Sequence, residues 1–167
     1  LVLDDQGAIV AWPFSKFFGV GDRDYTTWDA LFANPRPATI APKLDGSMVM
    51  AYWYNGQWIW QSRGGWTNFV TERAQARAQA LYAQSMRNWP IRMTLIFELT
   101  LNDRPIIVDH PATNLTLIGA RDVVSGKLVP PVQLASMADR YGLPAAVEPV
   151  TVVPNGERLR AFRALAG

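Results

Sequence analysis

Asn55-Gly56, set between the aromatic-rich runs Ala51-Tyr52-Trp53-Tyr54 and Gln57-Trp58-Ile59-Trp60, constrains this chain more than any other feature. The pair suits the positive backbone angles of a type I′ turn, so the two runs are expected to close as a two-residue β-hairpin. In that register Tyr54 faces Gln57, Trp53 faces Trp58, Ala51 faces Trp60 and Met48 faces Arg63. A Trp pair in the closer, non-hydrogen-bonded type of site contributes about 0.5–1 kcal/mol. The hairpin also returns Ser62-Arg63-Gly64 to the end where Asp45-Gly46-Ser47 lies.

Around this hairpin the pattern alternates between strands and helices. Residues 7–12 read as a short strand running into Pro13, and residues 14–21 as an aromatic loop pressed on the core. Pro35 and Pro37 introduce an extended run over 38–43. Residues 67–87 lack Gly and Pro and repeat Phe69, Arg73, Arg77 and Leu81 at helical spacing, which predicts a long solvated helix capped by Thr67 or Asn68. Strands are expected over 93–101, 106–108 and 115–121, and short helices over 132–141, stopped by Gly142, and over 157–165. Strands interleaved with one long helix and followed by helices favour an α+β fold of antiparallel β-sheets flanked by helices.

Composition narrows the chemistry. With 167 residues, 49% of them hydrophobic and seven of them Trp, the chain can bury one sizeable core. Most of the Trp residues are expected in that core rather than stacked on bases. No apolar run approaches the roughly 20 residues of a membrane span, and the N-terminal aspartates do not suit a signal peptide, so a cytoplasmic location is expected. The absence of cysteine excludes disulfides, thiolate metal sites and a cysteine nucleophile. A net charge of +2 argues for nucleic acid only if the basic residues gather on one face. Of the 16 basic residues only Lys16, Lys43 and Lys127 are lysines, so each lysine invites scrutiny.

Lys43-Leu44-Asp45-Gly46-Ser47 places a lysine at the end of an extended segment and a glycine just before a strand. Lysine acts as a nucleophile only after losing a proton. An unperturbed lysine, with a pKa near 10.4, is neutral in about one molecule in a thousand at pH 7.4. A reactive lysine therefore needs nearby positive charge, burial or a metal-bound anion, and Arg63 and Lys16 are candidates to supply part of that field. Taken alone, the pentapeptide is better read as a lysine before an Asp-Gly turn into a hairpin.

Taken together, several stretches resemble one family. Lys43-Leu44-Asp45-Gly46-Ser47 is similar to motif I of the covalent nucleotidyltransferases, Ser62-Arg63-Gly64 to motif Ia, and Phe97-Glu98 to motif III, in matching order and spacing. Lys16-Phe17-Phe18, Asn102-Asp103-Arg104 with the stretch up to Val108, and residues 115–121 followed by Ser125-Gly126 resemble the T4 RNA ligase 1 branch. The resemblance covers essentially the whole chain and implies a nucleotidyltransferase core, ATP-grasp-like, here as a partial adenylyltransferase domain over residues 1–167.

The resemblance implies an ATP-dependent RNA ligase that transfers AMP from ATP to Lys43 and passes it to an RNA 5′-phosphate, after which a 3′-hydroxyl seals the strand. By the same pattern Arg63 and Glu98 contact the nucleotide, Glu98 by accepting from a ribose hydroxyl. Asp45 and Gly46 belong to the adenylylation site, Lys16 faces the ATP phosphates, and Phe18 supports the base or the pocket wall. Mg²⁺ or Mn²⁺ is the implied cofactor, with its ligands unassigned, and a monomer is the expected state. From the residues themselves, Glu98 alternatively pairs with an arginine, Lys16 is a surface charge, Phe17 and Phe18 are core, and Asp103-Arg104 is a turn ion pair or an RNA contact. His110 reads as structural or incidental.

The family pattern also includes an Arg-Gly before the position of Leu1, a Glu-Gly-apolar-Val motif IV and a Lys-x-Lys motif V. None of these occurs in the sequence, so the chain is expected to be an internal piece of the catalytic domain that adenylylates feebly on its own. Competing readings are a DNA ligase or GTP-using capping enzyme, and a non-catalytic RNA-binding module on the same scaffold.

Overall fold

The computed structural model describes residues 1–33, 38–148 and 150–152. In chain order its elements are β1 (Val2–Leu3), β2 (Ile9–Ala11), α1 (Trp28–Ala33), β3 (Ala38–Ile40), β4 (Ser47–Tyr54), β5 (Gln57–Ser62), α2 (Phe69–Tyr82), β6 (Met93–Thr100), β7 (Asn114–Asp122), α3 (Leu134–Tyr141) and β8 (Val150–Val152). They divide into two units, Leu1–Pro13 with Pro42–Glu148, and Phe14–Ala41 with Pro149–Gly167.

The first unit is built on an antiparallel sheet in the order β5-β4-β6-β7. Its seed is the expected hairpin: Asn55 and Gly56 take φ of 47° and 79°, and Trp53 pairs with Trp58. The two indoles meet edge to face at 5.6 Å. The expected Met48–Arg63 pair does not form. The ladder ends at Val49 with Ser62, where Ser62 and Gly65 exchange two backbone hydrogen bonds of 3.1 Å and swing Arg63 off the strand into a turn. Gly65 permits that turn through its φ of 113°.

Alternation along the strands separates two faces. Val49, Ala51, Leu95, Phe97, Leu99, Leu115 and Leu117 form a core with Ala74 and Ala78 of α2 and Leu134 and Ala138 of α3. Trp89 lies at its centre, with ring centroids of Trp58, Trp60 and Phe97 at 5.4, 6.2 and 6.0 Å. Helix α2 is shorter than the predicted 67–87, and a separate 3₁₀ turn, Ser85–Asn88, completes that stretch before Pro90. Asn68 caps it, its side-chain oxygen accepting from the amides of Val70 and Thr71 at 3.1 Å each. Nor is the helix wholly solvated: Thr71, Ala74 and Ala78 are buried, a small-residue face that lets it approach the sheet closely.

On the opposite face the β1–β2 hairpin brings Ala11 against Met50 and Tyr52, and Trp12 N–H donates to Thr94 Oγ1 at 2.8 Å. Met48 lies farther along this face, directly opposite Glu98 of β6. Helix α3 stops at Gly142, in the left-handed region at φ 61°, as its sequence predicts. Residues 106–108 are not a strand but part of an exposed loop joining β6 to β7. In the second unit β3 pairs antiparallel with β8. The helix expected over 157–165 lies outside the described residues.

Candidate active site

The site starts from the glycine of the pentapeptide. A Cβ on Gly46 would lie 2.4 Å from the carbonyl oxygen of Leu99 and 3.1 Å from Cγ of Glu98. Only glycine allows the entry to β4 to press this closely on β6. The close approach brings the Gly46 amide to the half-buried Glu98 carboxylate, and Lys43, exposed just upstream, acts electrostatically on both Asp45 and Glu98. Burial raises the Glu98 pKa above its ordinary value, opposed by the Gly46 amide and the Lys43 charge and reinforced by Asp45. Among the described residues no arginine pairs with Glu98, so the structural pairing weighed as an alternative is not the arrangement found.

Asp45 is held from the other side. Its Oδ2 accepts from the backbone amides of Ile107 and Val108, each at 2.7 Å, while its carbonyl oxygen accepts from His110 Nε2 at 2.8 Å. A carbonyl only accepts, so Nε2 carries the proton in this contact. The amides of Val108 and Ile107 hold the Asp45 carboxyl below its ordinary pKa, with slight opposition from burial and help from Lys43 and His110. The β6–β7 loop is thereby clipped onto the segment that carries Lys43. Sequence reading missed this role of His110 and of the two amides. A loop amide has no side-chain signature, and three apolar residues in a row imitate a strand.

Arg63 stands on the exposed turn after β5 and lines a groove of about 570 Å³ together with Ser47, Met48, Asn68, Phe69 and Arg104. The first unit thus brings Lys43, Asp45, Gly46 and Glu98 together at the head of β4, with Arg63 on the neighbouring groove. A sequence model described as RNA ligase matches residues 1–165. The chain belongs to the RNA ligase family.

No curated protein matches this RNA ligase family member. Among solved structures, an archaeal ATP-dependent RNA ligase in its form 1 superposes with a TM-score of 0.60 at 21% identity, covering 93% of this chain and 42% of that one. Form 2 gives 0.57 at 21% identity, with 72% and 32% covered. A Naegleria gruberi RNA ligase with PPi gives 0.58 at 14% identity, with 86% and 45% covered. These likenesses show a common fold, and the chain spans less than half the length of each of these structures.

Two sequence-predicted site residues of this RNA ligase family chain fall in the second unit. There the Lys16 ammonium lies 5.2 Å and the Arg23 guanidinium 4.7 Å from the centre of the Phe18 ring, which meets Tyr25 edge to face at 6.3 Å. Phe17 is 80% exposed, which removes it from the core. Among the described residues no three carboxylate, histidine or cysteine groups gather as a ready metal cage.

Proposed function

We propose that this chain carries the lysine-adenylylation centre of an ATP-dependent RNA ligase. The observation that supports this most is the convergence of Lys43, Asp45 and Glu98 at the head of β4, enforced by the Gly46 contact with Leu99. Lys43 Nζ, once deprotonated, attacks the α-phosphorus of ATP. A phosphoramidate N–P bond forms, the α–β P–O bond breaks, and pyrophosphate leaves. The RNA 5′-phosphate then displaces Lys43 to give an adenylated end, and a 3′-hydroxyl attacks that end and releases AMP. Glu98 accepts from a ribose hydroxyl, a reading supported by its carboxylate having given up water on folding. Arg63 contributes positive charge toward phosphates, and within the second unit Lys16 and Phe18 supply the cation and the ring that the family resemblance assigns to the phosphates and to the base or the pocket wall.

Asp45 Oδ1 lies outside the two loop hydrogen bonds and would face Mg²⁺ or Mn²⁺ brought in with the nucleotide, since such ions use one or two carboxylates together with substrate phosphates. The ion supplies neutralisation of phosphate charge when bound.

Intact-protein mass spectrometry of the full-length protein after incubation with ATP tests the proposal. An AMP adduct that pyrophosphate reverses, that GTP does not replace, and that Lys43→Ala abolishes is expected. An adduct of unchanged yield on the Lys43→Ala protein would overturn the nucleophile assignment.

A further inference from the structure

Helix α2 places Phe69, Arg73 and Arg77 in one row, four residues apart, a repeat that the adenylylation site leaves unused. At the head of that row two guanidiniums share one ring: Arg73 lies 5.2 Å and Arg104 4.7 Å from the centre of Phe69. Arg73 is braced further by an ion pair with Asp103, the neighbour of Arg104. This answers the open question about Asp103-Arg104: the two do not pair with each other but both turn toward α2. Among the described residues neither Arg104 nor Arg63 has an ion-pair partner, and both line the groove that runs to Ser47 and Met48 at the head of β4. Phe69 remains 38% exposed in its wall.

Two cations without carboxylate partners, lining one open groove, make a surface complementary to a polyanion. Arginine forks suit phosphate oxygens, and a guanidinium held over a ring keeps its N–H edges free for them. We propose that this groove seats the single-stranded RNA end beside the adenylylated lysine, with Arg104 and Arg63 taking backbone phosphates. Phe69 acts as a positioning residue that holds Arg104. The proposal rests on the ligase reading for its choice of polyanion, and it adds where the strand lies and that Arg104 and Phe69, outside the adenylylation set, join Arg63 in holding it.

The test uses the full-length protein, a 5′-phosphorylated oligoribonucleotide followed by fluorescence polarisation from 50 to 200 mM salt, and AMP-adduct formation with ATP alone. Losing one single-strand phosphate contact lowers the salt slope by roughly 0.7, which corresponds to about fivefold weaker binding at 0.1 M salt relative to a 1 M reference. Arg104→Gln is expected to show that loss while forming the adduct at the unsubstituted rate. Phe69→Leu should weaken binding in the same direction with every charge intact, and Phe69→Tyr, which keeps the ring, should restore it. An unchanged affinity and salt slope in Arg104→Gln overturns the proposal, as does a loss of adduct formation as large as the loss of RNA binding. If the unsubstituted protein forms no adduct, the ligase reading fails instead, and the RNA-binding comparison still decides the groove.

Discussion

Gly46 shows how one missing side chain lets the entry to β4 press on β6. Its Cα approaches the Leu99 backbone so closely that even a methyl group would overlap the carbonyl oxygen at 2.4 Å. Gly46→Ala is therefore expected to force β4 away from β6 at a cost of about 3 kcal/mol, a fall in Tm of roughly 6–12 °C. A melt within a degree or so of the unsubstituted protein would show that the strand entry yields without strain. In the sequence this glycine is visible only as part of Lys43-Leu44-Asp45-Gly46-Ser47, where it reads as a turn residue. Its φ is not in the left-handed region, so the requirement comes from a strand some fifty positions later, which no local pattern reveals. Glu98 was legible as a candidate through the resemblance of Phe97-Glu98 to motif III, whereas its raised pKa comes from tertiary burial.

Among the elements, the β6–β7 loop departs furthest from the expected pattern. Read as a strand over 106–108, it instead exposes Ile107 at 85% and directs its amides to Asp45. Asp45→Asn replaces a charged acceptor by a neutral one, so hydrogen exchange at the Ile107 and Val108 amides should accelerate roughly tenfold at pH 7. Equal protection in both proteins would mean that the loop holds itself. The folded pKa of Asp45 is depressed, so its anchoring is present above the ordinary aspartate range and is lost as pH falls through the lower folded value. Loop release on acidification should thus precede unfolding in the unsubstituted protein and be absent as a separate step in Asp45→Asn. The hairpin β4–β5 is the opposite case. Asn55-Gly56 and the Trp53–Trp58 pair specify it locally, and the register agrees up to Ser62, where Gly64-Gly65 ends the ladder one pair early.

At the scale of the molecule, the described aromatic rings of the first unit gather around one buried indole. Trp89 is 2% exposed, and its indole N–H donates to the Gly142 carbonyl at 3.3 Å while its ring touches those of Trp58, Trp60, Tyr82 and Phe97. Trp89→Ala should lower the unfolding free energy by about 3–5 kcal/mol in urea titrations. A loss below about 1 kcal/mol would mean that the core closes over the gap. Composition announced such a core, and Trp60 and Trp89 occupy it, but Trp66 at 60% exposure does not. The α+β class with antiparallel sheets was likewise readable from element order. The division into two units was not, because the second is assembled from segments more than a hundred residues apart in the chain.

Strand β4 is hydrogen-bonded along both edges, to β5 and to β6, and Lys43 lies four residues before Ser47, its first residue. A chain segment leashed to a strand paired on both edges has little freedom to recoil. Reaction at Lys43 would therefore have to move the incoming partner, or the side chain's own four methylenes, and would leave the backbone beneath it still.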